Sequence, residues 1–168
     1  MIIRRVSAFF VDYIVIAIYI GALTAVSVFL GAHQAEFKSG SEAKILWHVV
    51  SFVSLTVPVW GYFTLLEGGP GQTLGKRLLR VRVVSLEGGA LGRGRAGLRN
   101  LMRFLPWELA HTAIWHQPGR PFLDPFPGIN LLLCGLSLLA AMILAGSLVL
   151  KDNRSLYDRA SRSRVVRV

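Results

Sequence analysis

The sequence predicts an all-α membrane protein: a four-crossing transmembrane helix bundle with a small cytoplasmic β-hairpin and a C-terminal strand. Three observations point there. Of the 168 residues, 53% are hydrophobic, and the mean hydropathy is +0.52, more apolar than a soluble domain of this length. The apolar residues are gathered into long runs instead of recurring at a helix or strand period. The basic residues, which give a net charge of +10, flank those runs. Such a charge also suits a nucleic-acid binder, but basic loops beside apolar spans follow from membrane topology and anionic headgroups, so no nucleic-acid partner is expected. The whole chain, 1–168, reads as one transmembrane domain.

The first run, Val6–Leu30, has 25 residues, long enough to span a bilayer as a helix. Arg4 and Arg5 precede it in the manner of a signal peptide, but its length and Asp12 favour an uncleaved span. Asp12 is the strongest single lead in the chain. A carboxylate at the centre of a span costs roughly 2.5–3.5 kcal/mol, and such a group faces a bundle interior or a wet cavity and has a partner. Ala17, Gly21 and Ala25 form a ridge of small residues suited to close helix contact in the bundle.

The second run, Ile45–Leu66, has 22 residues without an acid, lysine or arginine, and Pro58 should kink it and free a backbone carbonyl. The last, Ile129–Leu150, is equally free of those charges and carries a second small ridge, Ser137, Ala141 and Ala145. Its Cys134 is the only cysteine, so the redox compartment is not encoded.

Charge supplies the fourth crossing. Lys and Arg number two before the first span, two in Gly31–Lys44, nine in Glu67–Gly128 and six in Lys151–Val168. Three crossings would put the basic tail on the same side as the weakly charged first loop, against the positive-inside tendency. A crossing at Leu101–Trp115, short, kinked at Pro106 or re-entrant, restores it. Both termini and residues 67–100 are then cytoplasmic, and Gly31–Lys44 and Arg120 lie outside.

The cytoplasmic segment begins EGGPGQTLGKRLLRVRVV. A phosphate loop ending at Gly75-Lys76 would need glycine at Pro70 and Ser or Thr at Arg77, so that reading fails. Gln72–Leu79 reads instead as an interfacial helix, with its leucines toward lipid and Lys76 and Arg77 toward headgroups. Arg80–Val84 alternates as a strand does, Gly88-Gly89 turns, and the terminal Arg164–Val168 has the same character.

These residues resemble the RDD family of bacterial membrane proteins, named for an arginine and two aspartates. The carriers are RVSAFFVD, with Arg5, Ala8 and Asp12; GQTLGKRLL and the valine-rich strand, within Gly71–Val84; and LYDRASRSRVV, with Asp158. They fall in order over nearly the whole chain. Tyr157 stands where such families usually have histidine, and Arg162-Ser163 where they often have Gly-Thr. The resemblance implies a multi-pass protein of the bacterial inner membrane. It also implies cation or proton transport, such as sodium/proton exchange, which has been attached to some relatives.

Two functional readings stand side by side. In a transporter a carboxylate binds a proton or cation in turn from each side; Asp12, Asp158 and Glu108 are candidates, Arg5 would tune one, and four short spans would call for a homo-oligomer. In a structural or regulatory module, Arg5, Asp12 and Asp158 form one fold-locking network near the inner face, and the basic surface meets lipid headgroups or an acidic partner. Glu108 and His111, three apart on a helix, are secondary candidates. No nucleophile, base and orienter occur together, so neither enzymatic activity, a metal site nor a cofactor is expected.

Overall fold

The computed structural model describes residues 1–31, 41–118, 124–149 and 152–168. Helix α1 covers Ile2–Phe29. Helix α2, Ser41–Ser51, passes through a π-helical turn, Phe52–Thr56, into α3, Val57–Gly68. A short α4, Leu74–Leu78, leads to β1, Val81–Ser85. Then come α5, Arg93–Trp115, α6, Gly128–Gly146, the short α7, Leu156–Ala160, and β2, Ser163–Arg167. Three helical stretches are long and apolar enough to cross a membrane: Ile2–Phe29, Lys44–Gly68 and Gly128–Val149. Arg120 and residues 32–40 of the first loop lie outside the described residues, so the expectation for them is not addressed.

The bundle is apolar outside and polar inside. Among the described residues, sixteen polar or charged residues are buried against eight apolar ones. A hydrocarbon surround rewards this inversion, because polar groups there must find partners within the protein. Helix α5 is the axis of the arrangement. It runs antiparallel to α2 and α3, with contacts from Glu67–Arg99 at one end to His48–His116 at the other. It is also antiparallel to α6, whose Ser137 Oγ donates to Pro106 O at 2.6 Å and Asn130 Nδ2 to Ala113 O at 2.6 Å.

Pro58 acts through the backbone, as its missing donor requires. The carbonyl of Ser54, four residues earlier, loses its usual N–H partner. The helix widens into the π turn just before the proline, and Tyr19 Oη of α1 donates to Ser54 O at 2.5 Å. The freed carbonyl thus becomes a fastening point between helices.

Four expectations are corrected. The hairpin does not form: β1 pairs antiparallel with β2 alone, from Val81 opposite Arg167 to Ser85 opposite Ser163. Gly88-Gly89 does turn the chain, Ser85 N–H donating to Gly89 O at 2.9 Å, but a helix follows. The valine-rich C-terminal segment fills the place instead. Val83, Leu91 and Ala96 then form a small core beneath the sheet, with Val165 against it.

Helix α5 begins at Arg93, eight residues before the expected crossing, so Arg99 sits inside a continuous helix with Arg103 one turn further on. The small ridge of α1 faces outward: Ala17, Gly21 and Ala25 are exposed, and nothing lies within 4 Å of a Cβ built on Gly21. On α6 only Ser137 of its ridge turns inward, while Ala141 and Ala145 are exposed. Lys76 is buried instead of reaching headgroups, because Glu67 lies beneath it, whereas Arg77 is exposed as expected.

Candidate functional site

At one end of the bundle α1, α3, α4, α5 and α7 converge on buried charges. Helix α7 is started by a capping box: Ser155 Oγ accepts from Asp158 N–H, and Asp158 Oδ2 accepts from Ser155 N–H at 3.0 Å. This fixes the carboxylate where Arg5 and Arg99 reach it. Arg5 donates to Oδ2 at 2.5 Å, and to Asn153 O at 2.5 Å with its other nitrogen. Arg99 donates to Oδ1 through Nη2 at 2.8 Å and through Nε at 3.1 Å. Burial alone would raise the Asp158 carboxyl, but Arg99 and Arg5 overcome it and hold it below its ordinary range.

The remaining Arg99 nitrogen donates to Glu67 Oε2. Glu67, the single acid of α3, is fully buried. Its Oε1 accepts from Lys76 at 2.6 Å and from Arg103 at 3.5 Å, and its Oε2 also accepts from Asn100 at 3.2 Å. Four cations therefore face two carboxylates. Ring faces take up part of the excess: Arg103 lies 4.2 Å from the Phe63 ring centre and 5.0 Å from that of Phe9, and Arg99 lies 4.9 Å from Tyr157. Burial pushes Lys76 down to about 8, against the pull of Glu67.

Asp12 lies apart from these ion pairs. Its Oδ1 accepts from Tyr62 Oη at 2.9 Å and Gly75 N–H at 2.8 Å, and its Oδ2 from Thr73 Oγ1 at 2.6 Å. Thr73 also caps α4 by accepting from Lys76 N–H. This cage depends on a very close approach. A Cβ on Gly75 would lie 2.1 Å from Ala8 O and 3.0 Å from the Asp12 carboxyl carbon, so only glycine fits. Arg5, Ala8 and Asp12 thus have separate tasks on one helix: an ion pair, a smooth contact for α4 and an acceptor for its start.

The expected single network of Arg5, Asp12 and Asp158 is therefore divided in two. Arg5 joins Asp158, and Asp12 pairs with no cation among the described residues. Arg154 and Arg159 pair with Asp152. Glu67, Arg99 and Arg103 are central and were not anticipated. A signal existed for two of them, since Arg99 and Arg103 are one helical turn apart, but a crossing expected to start at Leu101 left Arg99 outside the helix.

Glu108 and His111 lie further along α5. Glu108 accepts from Thr56 Oγ1, and His111 Nδ1 is 3.7 Å from Glu108 Oε1 and stacks edge-on with Trp107. Beyond them His48 Nδ1 and His116 Nε2 are 3.2 Å apart. Among the described residues no three His, Cys, Asp or Glu side chains form a ready metal cluster.

No curated protein and no solved structure matches the chain. A family model described as the RDD family matches residues 1–162, a stretch that includes Arg5, Asp12 and Asp158. With all but the last six residues so matched, this apolar, multi-helix membrane chain belongs to the RDD family.

Proposed function

We propose that this protein is a four-crossing module of the bacterial inner membrane whose buried charges fasten the cytoplasmic ends of its helices, and that its role is structural or regulatory. One observation carries the reading. Each carboxylate oxygen of Glu67 and Asp158 already accepts from a fixed cation, so a proton or metal ion could enter only by displacing one. The cage around Asp12 is likewise filled by three donors. A carrier carboxylate must instead be reached from each side in turn.

The fourth crossing is α5. Its 23 residues rise about 34 Å at 1.5 Å each, enough for a hydrocarbon core of about 30 Å. Arg99 and Arg103 are turned toward Glu67 of α3, and Arg99 also toward Asp158 of α7, which makes a helix of low hydropathy tolerable there, while Arg93 and Arg95 in its first turn stay exposed at the cytoplasmic end. Both termini then lie on the cytoplasmic side with the basic surface, where Arg77, Arg82 and Arg164 are exposed to anionic headgroups. A reporter active only outside the cytoplasm, fused after Val168, should stay silent; a strong signal would remove the fourth crossing.

Cation or proton transport is the second reading, favoured by the half-buried Glu108 and His111 within α5. Proteoliposomes loaded with a pH or sodium gradient separate the two. The module reading expects no flux above that of empty vesicles. Flux abolished by Glu108→Gln or Asp12→Asn in normally assembled protein would establish transport instead.

A further inference from the structure

The end of the bundle opposite the charge network holds a pair of histidines that the proposed function does not use. We propose that His48 and His116 form a two-histidine site for a borderline divalent transition-metal ion of the Zn²⁺ type, with water completing its coordination. The geometry is the first argument. With zinc–nitrogen bonds of 2.0–2.1 Å, two ligand nitrogens of a tetrahedral ion lie about 3.3 Å apart. His48 Nδ1 and His116 Nε2 are 3.2 Å apart, with the rings inclined at 75°. The two nitrogens thus already stand near the separation an ion requires.

Access and protonation are the second argument. His48 is partly exposed and His116 is exposed, so an ion can enter and water can fill the other positions. As neutral imidazoles the two share one hydrogen bond, which one donates and the other accepts. Binding requires the donor to move its hydrogen to its other ring nitrogen through solvent. Both facing nitrogens then present lone pairs, and no net proton is released.

The anchoring is the third. His48 belongs to α2, and His116 is the residue that ends α5. One turn before His48, Lys44 donates to the carbonyls of Gln117 and Pro118, the latter at 3.0 Å, which already ties the two elements together. Its ammonium opposes a bound cation. Two protein ligands and a nearby lysine imply an affinity weaker than that of a closed four-ligand site.

Titration calorimetry of the full chain in detergent with Zn²⁺ tests the assignment. The expected result is one ion per chain, with affinity lowered at least about tenfold by His48→Gln and by His116→Gln and kept by His111→Gln; loss of one ligand bond warrants that scale. Mg²⁺ should not compete. Diethylpyrocarbonate labelling of the natural chain, read residue by residue by mass spectrometry, decides the matter if a glutamine variant fails to assemble: Zn²⁺ should protect His48 and His116, and Mg²⁺ should not. No uptake of one ion by the natural chain, uptake unchanged in either glutamine variant, uptake lost with His111→Gln, or labelling of both histidines unchanged by Zn²⁺ would each overturn the site.

Discussion

Asp12 and Asp158 are both fully buried, yet the chain neutralises them in opposite ways. Asp158 meets two guanidinium groups and belongs to a network that continues through Arg99 to Glu67 and Lys76. Asp12 meets a phenol, a hydroxyl and a backbone N–H. The difference follows from what each one joins. Asp158 ties together distant elements, and long arginine side chains bridge such gaps. Asp12 touches α4 at van der Waals contact, where a cation has no room and short donors fit. A buried aspartate therefore does not by itself announce an ion pair or a transport site.

The comparison can be broken at Arg99. Arg99→Ala removes the link between the two acids and leaves buried charge uncompensated, so it should destabilise the folded protein by about 3–5 kcal/mol. The unfolding midpoint in detergent would show it, and an effect as small as that of a surface change would mean the network contributes little. Gly75→Ala attacks the other region. Its Cβ must push α4 away from Ala8, at a cost of about 1–3 kcal/mol, and Tyr62, Thr73 and Gly75 should lose register with Asp12.

Acid titration sharpens the contrast. The folded carboxyl of Asp158 titrates below its ordinary 3.8, so its contribution is present above that value and is lost as the pH falls through the lower folded one. In Arg5→Gln the acid unfolding midpoint should move to higher pH. An unmoved midpoint would show that Arg5 does not hold the proton off Asp158.

Asp12→Asn should cost only about 1–2 kcal/mol, the scale of one neutral hydrogen bond remade, because no cation is stranded. A loss equal to that of Arg99→Ala would make Asp12 part of the ionic network after all. Smallest is Gly21→Leu. It points into open space and should shift stability by less than about 0.5 kcal/mol in the monomer. A large loss, visible in stability or in oligomeric state, would show that the outward ridge of α1 is covered by another copy.

Much of the site was legible one residue at a time. The energetic cost of Asp12 in an apolar run marked it as partnered, and it is. Pro58 announced a free carbonyl, and Tyr19 takes it. The partners themselves were less legible. The ridge of Ala17, Gly21 and Ala25 showed the spacing that close packing needs, but the same spacing serves a lipid-facing surface, and nothing local distinguishes the two. Lys76 looked interfacial because its neighbours Leu74 and Leu78 are, and only the position of Glu67 draws it inward.

The sequence by itself determined that this chain lives in a membrane, where its three most apolar helices run, and that Asp12 must be compensated. Those conclusions depend on transfer free energy and chain length, which are properties of the residues. The tertiary structure alone decided which donors compensate each acid, that β1 pairs with the C-terminal strand without a hairpin partner, and that α5 carries Arg99 to both Glu67 and Asp158. Those are contacts between residues 32 to 153 positions apart, and no local preference encodes which of several arginines arrives.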